Sequence, residues 1–167
     1  MTGNVCSIIV GNRGGNSAQK YQMILNSNKT KAGHGAEFID DVLKELKHLR
    51  SLGIINKIDM KKKIPFTEGN KPQFYAPFIV SILEKRTLIF TMTSMRSDRN
   101  KINQWDAYGI KNFYKNNIKV IVVLPDILSE KELKHFLKEK EKIHQDNYLT
   151  AIDEICQLAD LKSVLIQ

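Results

Sequence analysis

The stretch LIFTMTSMRSDRNKINQWDAYGIKN, residues 88–112, decides the fold prediction. It opens with the apolar run LIF (88–90), and the β-branched run VIVVL (120–124) follows it. A continuous β-branched run is typical of a central strand buried on both faces. The polar segment between the two runs predicts a helix at about 98–115. A strand, a crossover helix and a parallel strand therefore follow one another in this part of the chain.

This segment carries more polar and planar chemistry than a crossover helix needs. Charged, amide and aromatic side chains gather there: Arg96, Asp98, Arg99, Gln104, Trp105, Asp106 and Tyr108. Structural explanations exist for each, since an acid stabilises a helix N-terminus and arginines are commonly solvated surface charges. Gln104 and Tyr108 share a helix face and packing alone would explain them. Trp105 is predicted to belong to the core rather than to a base-stacking surface.

The segments before this stretch predict a helix and a β-hairpin. Apolar residues recur at helical spacing in 36–53, and Gly53 supplies the natural end of that helix. Residues 53–66 alternate loosely, as a strand does. Residues 74–83 and 87–95 read as two strands joined by a short polar turn, which together form a hairpin.

The segments after the stretch predict two more helices. A capping box at Ser129 opens a charged, solvent-facing helix at 130–145, and Thr150 opens a last helix at 151–160. Cys156 fits that helical pattern as a small buried hydrophobe. Residues 162–167 are predicted to add an edge strand. The chain as a whole is predicted to be a single α/β domain with a mixed sheet flanked by helices.

Composition narrows the class of partner. The chain has 167 residues and a net charge of +8, which suits one globular domain with a polyanionic partner. Nucleic acid is the first such partner and an acidic membrane the second; a basic protein with neither partner remains the alternative. The two cysteines imply no disulfide framework, and neither a signal peptide nor a membrane span is recognisable. We therefore expect a cytoplasmic protein.

Several catalytic motifs are missing from the sequence. The glycine-rich segment GNRGGN (11–16) lacks the lysine and hydroxyl residue of a phosphate-binding loop. The four histidines do not have the spacing of zinc ligands. No GxSxG nucleophile motif is present.

The order of elements across 36–124 resembles the core of the PD-(D/E)XK nuclease superfamily, the fold of many type II restriction endonucleases. That core has a helix, a hairpin whose strands carry metal-binding acids, a further helix and a buried strand. Glu37 begins the first long helix, where many members place an acid. Gln104 and Tyr108 match the QxxxY pattern of one branch of the superfamily. The resemblance implies a restriction-endonuclease-like fold that binds double-stranded DNA and uses Mg²⁺.

The chain departs from the family at the residues that give the family its name. Ala76 and Pro77 stand where the resemblance places an aspartate, and Thr91, Met92 and Thr93 stand where it places Glu-x-Lys. Threonine substitutes poorly for a metal-binding carboxylate or for a lysine that stabilises phosphate charge. Either the acids have moved to other positions, or the site is silent and the chain is a non-catalytic nucleic-acid-binding or partner subunit. An interaction protein whose charge is incidental is a third alternative.

If the acids have moved, the resemblance implies a site just past the second hairpin strand. The implied catalytic residues are Glu37, Arg96, Asp98 and Gln104. The implied metal ligands are Glu37, Glu68 and Asp98, and the DNA-binding residues at this site are Arg99 and Lys101. The basic run Lys61, Lys62 and Lys63 is commonly a solvated strand end, but in a chain of net charge +8 it is a further candidate for contact with DNA phosphates. A restriction enzyme of this size would act as a homodimer, because symmetric sites are cut by symmetric pairs.

Overall fold

The structure, a computed structural model, describes residues 31–65, 73–94, 97–146 and 149–167, with the backbone alone at 31–34 and 97–100. Within these ranges the chain forms an α/β fold in which helices flank a five-stranded sheet. In chain order the elements are α1 (Lys31–Ser51), β1 (Lys57–Pro65), β2 (Gln73–Ile82), β3 (Lys85–Thr91), α2 (Ser97–Phe113), β4 (Lys119–Leu124), α3 (Glu130–Ile143), β5 (Glu154–Gln157), a short 3-10 helix (Leu158–Asp160) and α4 (Leu161–Ile166).

The sheet is mixed, as the sequence predicts. Its strand order is β1-β2-β3-β4-β5. The first three strands are antiparallel to one another, whereas β3, β4 and β5 run parallel. Helix α2 connects β3 to its parallel neighbour β4, so the predicted hairpin and crossover are both confirmed. The order of elements that the resemblance implied, from the first helix to the buried strand, is present.

The apolar side chains form one cluster on each face of the sheet. Helices α2 and α3 cover one face and helices α1 and α4 cover the other. Strand β4 contributes to both clusters: Val120 and Val122 point towards α2 and α3, while Ile121 and Val123 point towards α1 and α4. Burial on both faces accounts for the continuous β-branched run in the sequence.

Helix α1 forms because one stripe of its side chains is fully buried. Phe38, Val42, Leu46 and Leu49 recur at helical spacing against the sheet and are all inaccessible to solvent. The helix begins at Lys31 rather than at 36. Gly53 follows its end with φ at 74°, a backbone conformation that glycine adopts without strain. The predicted glycine stop is confirmed.

The prediction for the C-terminal segment is wrong. The predicted helix at 151–160 contains strand β5, and the predicted edge strand at 162–167 is largely helix α4. In β5, Ile155 and Cys156 point to opposite faces of the sheet and both are buried, which a strand allows and a one-sided helix does not. In α4 the buried residues fall on one helical stripe: Leu161, Val164 and Leu165.

Two smaller predictions about this half of the chain are confirmed. Cys156 is a buried hydrophobe, and burial raises the pKa of its thiol to about 12. The capping box is present, because the Ser129 hydroxyl accepts from the backbone N–H of Glu132 and the Glu132 side chain accepts from that of Ser129. Helix α3 turns one narrow stripe, Phe136 and Glu139, towards the protein. In the part of the chain that the structure describes, no helix has both the length and the hydropathy needed to cross a bilayer.

Candidate functional site

Strands β1 and β2 share a defect at one pair of opposed residues. The ladder pairs Met60 with Phe78 and Lys62 with Ala76, but Lys61 and Pro77, which lie between them, do not pair. Proline has no backbone N–H to donate to a ladder. Lys61 has φ at 50°, a left-handed conformation that is uncommon for a residue with a side chain. The sequence therefore interrupts the pairing with Pro77 on one strand and accommodates the interruption at Lys61 on the other.

Both strands turn over at this defect. Side chains two apart in a strand normally face the same side of the sheet. On β2, however, Ala76 faces helices α2 and α3 while Phe78 faces α1. On β1, Ile64 and Ile58 are divided between the two faces in the same way. Because both strands change face together, the register between them is preserved on either side of the defect.

Strands β2 and β3 separate next to the defect. Their pairing runs from Ile82 opposite Lys85 to Phe78 opposite Ile89, and there it stops. Phe90 and Thr91 pair only with β4, the neighbour of β3 on its other side. The part of β2 that precedes Pro77 pairs with β1 alone. A gap therefore opens there between β2 and β3.

A cleft of about 460 Å³ occupies this gap. The strands contribute Met60, Lys61, Tyr75, Pro77, Phe78, Phe90 and Thr91 to its lining, α1 contributes Ile39, and α2 contributes Ile102, Asn103 and Asp106. Pro77 is one of the two residues, with Ala76, that stand where the resemblance expects an aspartate, and Thr91 stands where it expects a glutamate. Both positions open onto the same cleft, but neither residue is an acid.

Asp106 supplies the one carboxylate among these lining residues. Its side chain accepts a hydrogen bond from the backbone N–H of Tyr75, and burial raises the pKa of the carboxyl above its ordinary range despite that bond. A carboxyl with a pKa raised by burial in a cleft is a candidate functional group. Sequence reasoning placed Asp106 in the polar cluster without a role. Helical spacing alone could have grouped it with Ile102 and Asn103.

The other predicted site residues are divided between the cleft's surroundings and the undescribed part of the chain. Lys61, Lys62 and Lys63 are exposed on the edge strand β1, and Lys101 is exposed on α2. Glu37 is half-buried on α1, with one carboxylate oxygen shielded from solvent, and it is not among the cleft-lining residues. Glu68, Arg96 and the side chains of Asp98 and Arg99 lie outside the described residues, so the roles assigned to them stay predictions.

Gln104 connects α2 to the segment that leads into β5. Its Nε2 donates to the Thr150 hydroxyl at 2.6 Å, and its Oε1 accepts from the backbone N–H of Ala151 at 2.9 Å. Both ends of the amide are therefore occupied, and Gln104 is not among the residues that line the cleft. The catalytic role of Gln104 stays a prediction, whereas the structure shows that its side chain joins α2 to the segment before β5.

Replacing Gln104 with alanine is expected to lower the free energy of unfolding. Ala151 is buried, so its N–H would lose its acceptor at a cost of about 1–3 kcal/mol. Gln104→Glu keeps an acceptor for Ala151 and is expected to be less destabilising. Urea unfolding of both variants measures the difference. A Gln104→Ala protein as stable as the unaltered one, but with impaired activity, would instead favour the catalytic role.

Trp105 is not part of the core, so that prediction is wrong. Its side chain is 63% exposed. Helix α2 turns Ala107 and Ile110 into the core cluster, and Trp105 lies on another side of the helix. Its indole contacts the ring of Phe74 from β2, with ring centroids 6.2 Å apart in a tilted arrangement.

Gly109 allows Phe74 to approach α2. A Cβ atom added at Gly109 would overlap the ring of Phe74. Overpacking costs about 1–3 kcal/mol, which exceeds the roughly 1 kcal/mol that alanine gains over glycine in a helix. We therefore expect Gly109→Ala to lower the free energy of unfolding. In a double-mutant cycle with Phe74→Leu, the combined loss should be smaller than the sum of the single losses. Strictly additive losses would contradict this contact.

The cleft offers oxygen donors of the kind that Mg²⁺ prefers. They are the carboxylate of Asp106, the amide oxygen of Asn103 and the hydroxyl of Thr91. Protein-bound Mg²⁺ commonly uses one or two carboxylates and completes its shell with water and substrate phosphate. The donor set therefore fits the ion in chemical type. Among the described residues, no three His, Cys, Asp or Glu side chains gather as a metal-binding group.

Comparison with known proteins finds similarity to a solved structure but not to a known sequence. No protein-family model matches the sequence, and no curated protein sequence is significantly similar to it. The chain is similar to the solved structure of the restriction endonuclease PspGI in complex with substrate DNA, with a TM-score of 0.49 and 14% sequence identity. The match covers 90% of this chain and 72% of that one.

Proposed function

We propose that the chain is a DNA-binding protein that hydrolyses phosphodiester bonds with a divalent metal ion, in the manner of a restriction-type endonuclease. The observation that carries the proposal is the cleft between β2 and β3. It is lined by Pro77 and Thr91, at positions where the resemblance expects the family's acids, and by the carboxylate of Asp106 with Lys61 in the same lining. A carboxylate that can hold a metal ion and a cation that can face a phosphate are two of the groups that metal-dependent phosphodiester hydrolysis uses.

The distribution of positive charge supports a nucleic-acid substrate. The net charge of the chain is +8. Three consecutive exposed lysines, Lys61, Lys62 and Lys63, follow the edge strand past the cleft, and Lys101 is exposed on the helix across it. Lysines at a surface of this kind neutralise backbone phosphates and release counterions. A DNA strand that follows β1 would bring a phosphate to the mouth of the cleft.

The cleft residues divide the chemistry between them. Asp106 would hold Mg²⁺ together with the amide oxygen of Asn103, and the ion would neutralise charge on the scissile phosphate. Lys61 would face that phosphate from the strand side of the cleft. The predicted acids Glu37, Glu68 and Asp98 are proposed as further ligands, with Arg96 and Arg99 as further phosphate contacts. A homodimer would present two such clefts to a symmetric site.

A cleavage assay tests the proposal. Purified protein is incubated with plasmid and phage DNA at low salt with Mg²⁺, Mn²⁺ or EDTA. We expect discrete fragments with the metals and intact DNA with EDTA. Asp98→Ala and Arg96→Ala variants are expected to lose the fragments. Intact DNA under every metal condition would contradict catalysis, and full cleavage by both variants would contradict those two assignments.

A second function is favoured by one observation. Pro77 and Thr91 line the cleft at positions where the resemblance expects acids, and a chain without those acids would lose catalysis and keep its DNA surface. A non-catalytic DNA-binding subunit predicts a salt-dependent gel shift without cleavage in any divalent metal. Flat binding curves for DNA and RNA at low salt would instead favour an interaction protein of another class.

A further inference from the structure

One exposed side of helix α2, next to the cleft, carries large apolar side chains. Ile102, Trp105 and Tyr108 are 61%, 63% and 49% exposed. They recur at intervals of three residues, so they lie along one side of the helix. Tyr75, an exposed aromatic residue of β2, also belongs to this region because its backbone N–H bonds to Asp106 of the same helix. We refer to Tyr75, Ile102, Trp105 and Tyr108 as the aromatic rim.

The aromatic rim adjoins the cleft directly. Tyr75 and Ile102 line the cleft themselves. Trp105 precedes Asp106 in the helix, and its indole rests against Phe74, the neighbour of Tyr75 in β2. A strand whose phosphate lies near Asp106 would therefore have its adjacent base within reach of the indole. The indole contacts the ring of Phe74 on one side and is otherwise largely exposed to an incoming base.

Two exposed lysines lie next to aromatic residues of the rim. Lys101 lies one helical turn before Trp105 and is exposed. Lys63 is the cross-strand partner of Tyr75 and is exposed as well. Aromatic faces interleaved with positive charges are typical of surfaces that bind single-stranded nucleic acid, where bases stack and phosphates are neutralised. A second copy of this basic chain would instead bring like charges together on the same face.

We propose that Trp105 stacks on an unpaired nucleobase of the strand that enters the cleft. The inference rests on the proposed function, because it requires a nucleic-acid substrate at the cleft. It adds that the preferred substrate has a base outside the double helix next to the cleavage site, as at a single-stranded end or a locally opened pair. Base stacking on an aromatic side chain is tolerant of sequence, so Trp105 would add affinity without reading a particular base.

Tryptophan fluorescence tests the inference, because Trp105 is the single tryptophan of the chain. The protein is titrated in EDTA with three labelled oligonucleotides: a single strand, a duplex with a single-stranded overhang and a blunt duplex of the same sequence. Binding is measured independently by the anisotropy of the label. We expect strong quenching by the single strand and the overhang duplex, and weak quenching by the blunt duplex at equal saturation.

Variants separate stacking from general binding. Trp105→Ala should weaken single-strand and overhang binding about tenfold or more, whereas blunt-duplex binding should change little. Trp105→Phe keeps an aromatic face and should retain most of the affinity. Phe113→Ala is the matched control, since Phe113 is a half-exposed aromatic residue on the same helix that does not line the cleft.

Each contrary outcome has a distinct meaning. Saturated binding of the single strand without a fluorescence change, or an unchanged affinity in Trp105→Ala, would overturn the stacking inference and leave the proposed function standing. Failure of all three oligonucleotides to bind would overturn both. A fluorescence change on raising the protein concentration alone, accompanied by a heavier species in sedimentation, would show that a second copy covers the rim and would overturn the inference.

Discussion

Asp106→Asn is expected to abolish DNA cleavage while leaving the fold and the affinity for DNA intact. The substitution keeps the size of the side chain and removes the negative charge that the cleft would use to hold a metal ion or accept a proton. Loss of such a group typically slows a reaction by about a hundredfold or more. Cleavage rate and DNA affinity are measured separately on the same preparation. The rate should fall and the affinity should stay unchanged.

The same substitution is expected to be neutral or stabilising at neutral pH. Burial raises the pKa of Asp106, so the folded protein binds its proton more tightly than the unfolded chain. The stability linked to this proton is present at low pH and is lost as the pH rises from about 3.9 through the raised pKa of the folded state. Above that window an ionised Asp106 opposes folding, and asparagine removes this cost. Thermal unfolding at pH 4 and pH 7 measures the difference.

Asp59→Asn is the matched control for Asp106. Asp59 lies on β1, is paired with Lys57 at 2.9 Å and does not line the cleft. Its replacement is expected to leave cleavage within about twofold of the unaltered rate, since surface ion pairs contribute little. Undiminished cleavage by Asp106→Asn would contradict the assignment of this carboxylate, whatever the control shows.

Replacing Lys61, Lys62 and Lys63 together with alanine is expected to weaken DNA binding on the order of a hundredfold at moderate salt. Each lysine that neutralises a phosphate contributes about one unit to the slope of log affinity against log salt concentration. The slope of the triple variant should therefore be shallower by about three units. The change would be somewhat smaller if Lys62 contributes less than the other two, because its ammonium also contacts the Tyr114 hydroxyl at 3.5 Å. Anisotropy titrations at several salt concentrations measure both quantities.

Three lysines on α3 provide a control with the same loss of charge. Lys131, Lys134 and Lys138 are exposed on a helix that packs near β5, at the opposite edge of the sheet from β1. Their joint replacement with alanine should change affinity far less than the replacement of the β1 lysines. An equal loss in the two triple variants would mean that net charge alone, and not the β1 edge, attracts DNA.

The central elements could be predicted because each is encoded by a local pattern. The β-branched run of β4 indicates burial on both faces, and the stripe from Phe38 to Leu49 indicates an amphipathic helix. The capping box at Ser129 fixes the start of α3. These patterns span only neighbouring residues, so the secondary structure that they indicate depends little on tertiary contacts.

The C-terminal segment and the site depend on contacts that the sequence does not display. Ile155 and Cys156 become a strand because β4 offers an unpaired edge, which overrides the helical spacing around them. The change of face at Lys61 and Pro77 can be recognised only when β1 and β2 are paired, because it involves one residue from each strand. Asp106 became a candidate only when the gap between β2 and β3 was known, although its place in the polar cluster was visible.

The measurement that tests the central claim most directly is lysine footprinting with and without DNA. The protein is acetylated in EDTA, where DNA binds without being cut, and the modified lysines are quantified by mass spectrometry. DNA is predicted to slow the acetylation of Lys61, Lys63 and Lys101 around the cleft and to leave Lys131, Lys134 and Lys138 unaffected. Protection confined to the α3 lysines, with none around the cleft, would contradict the account.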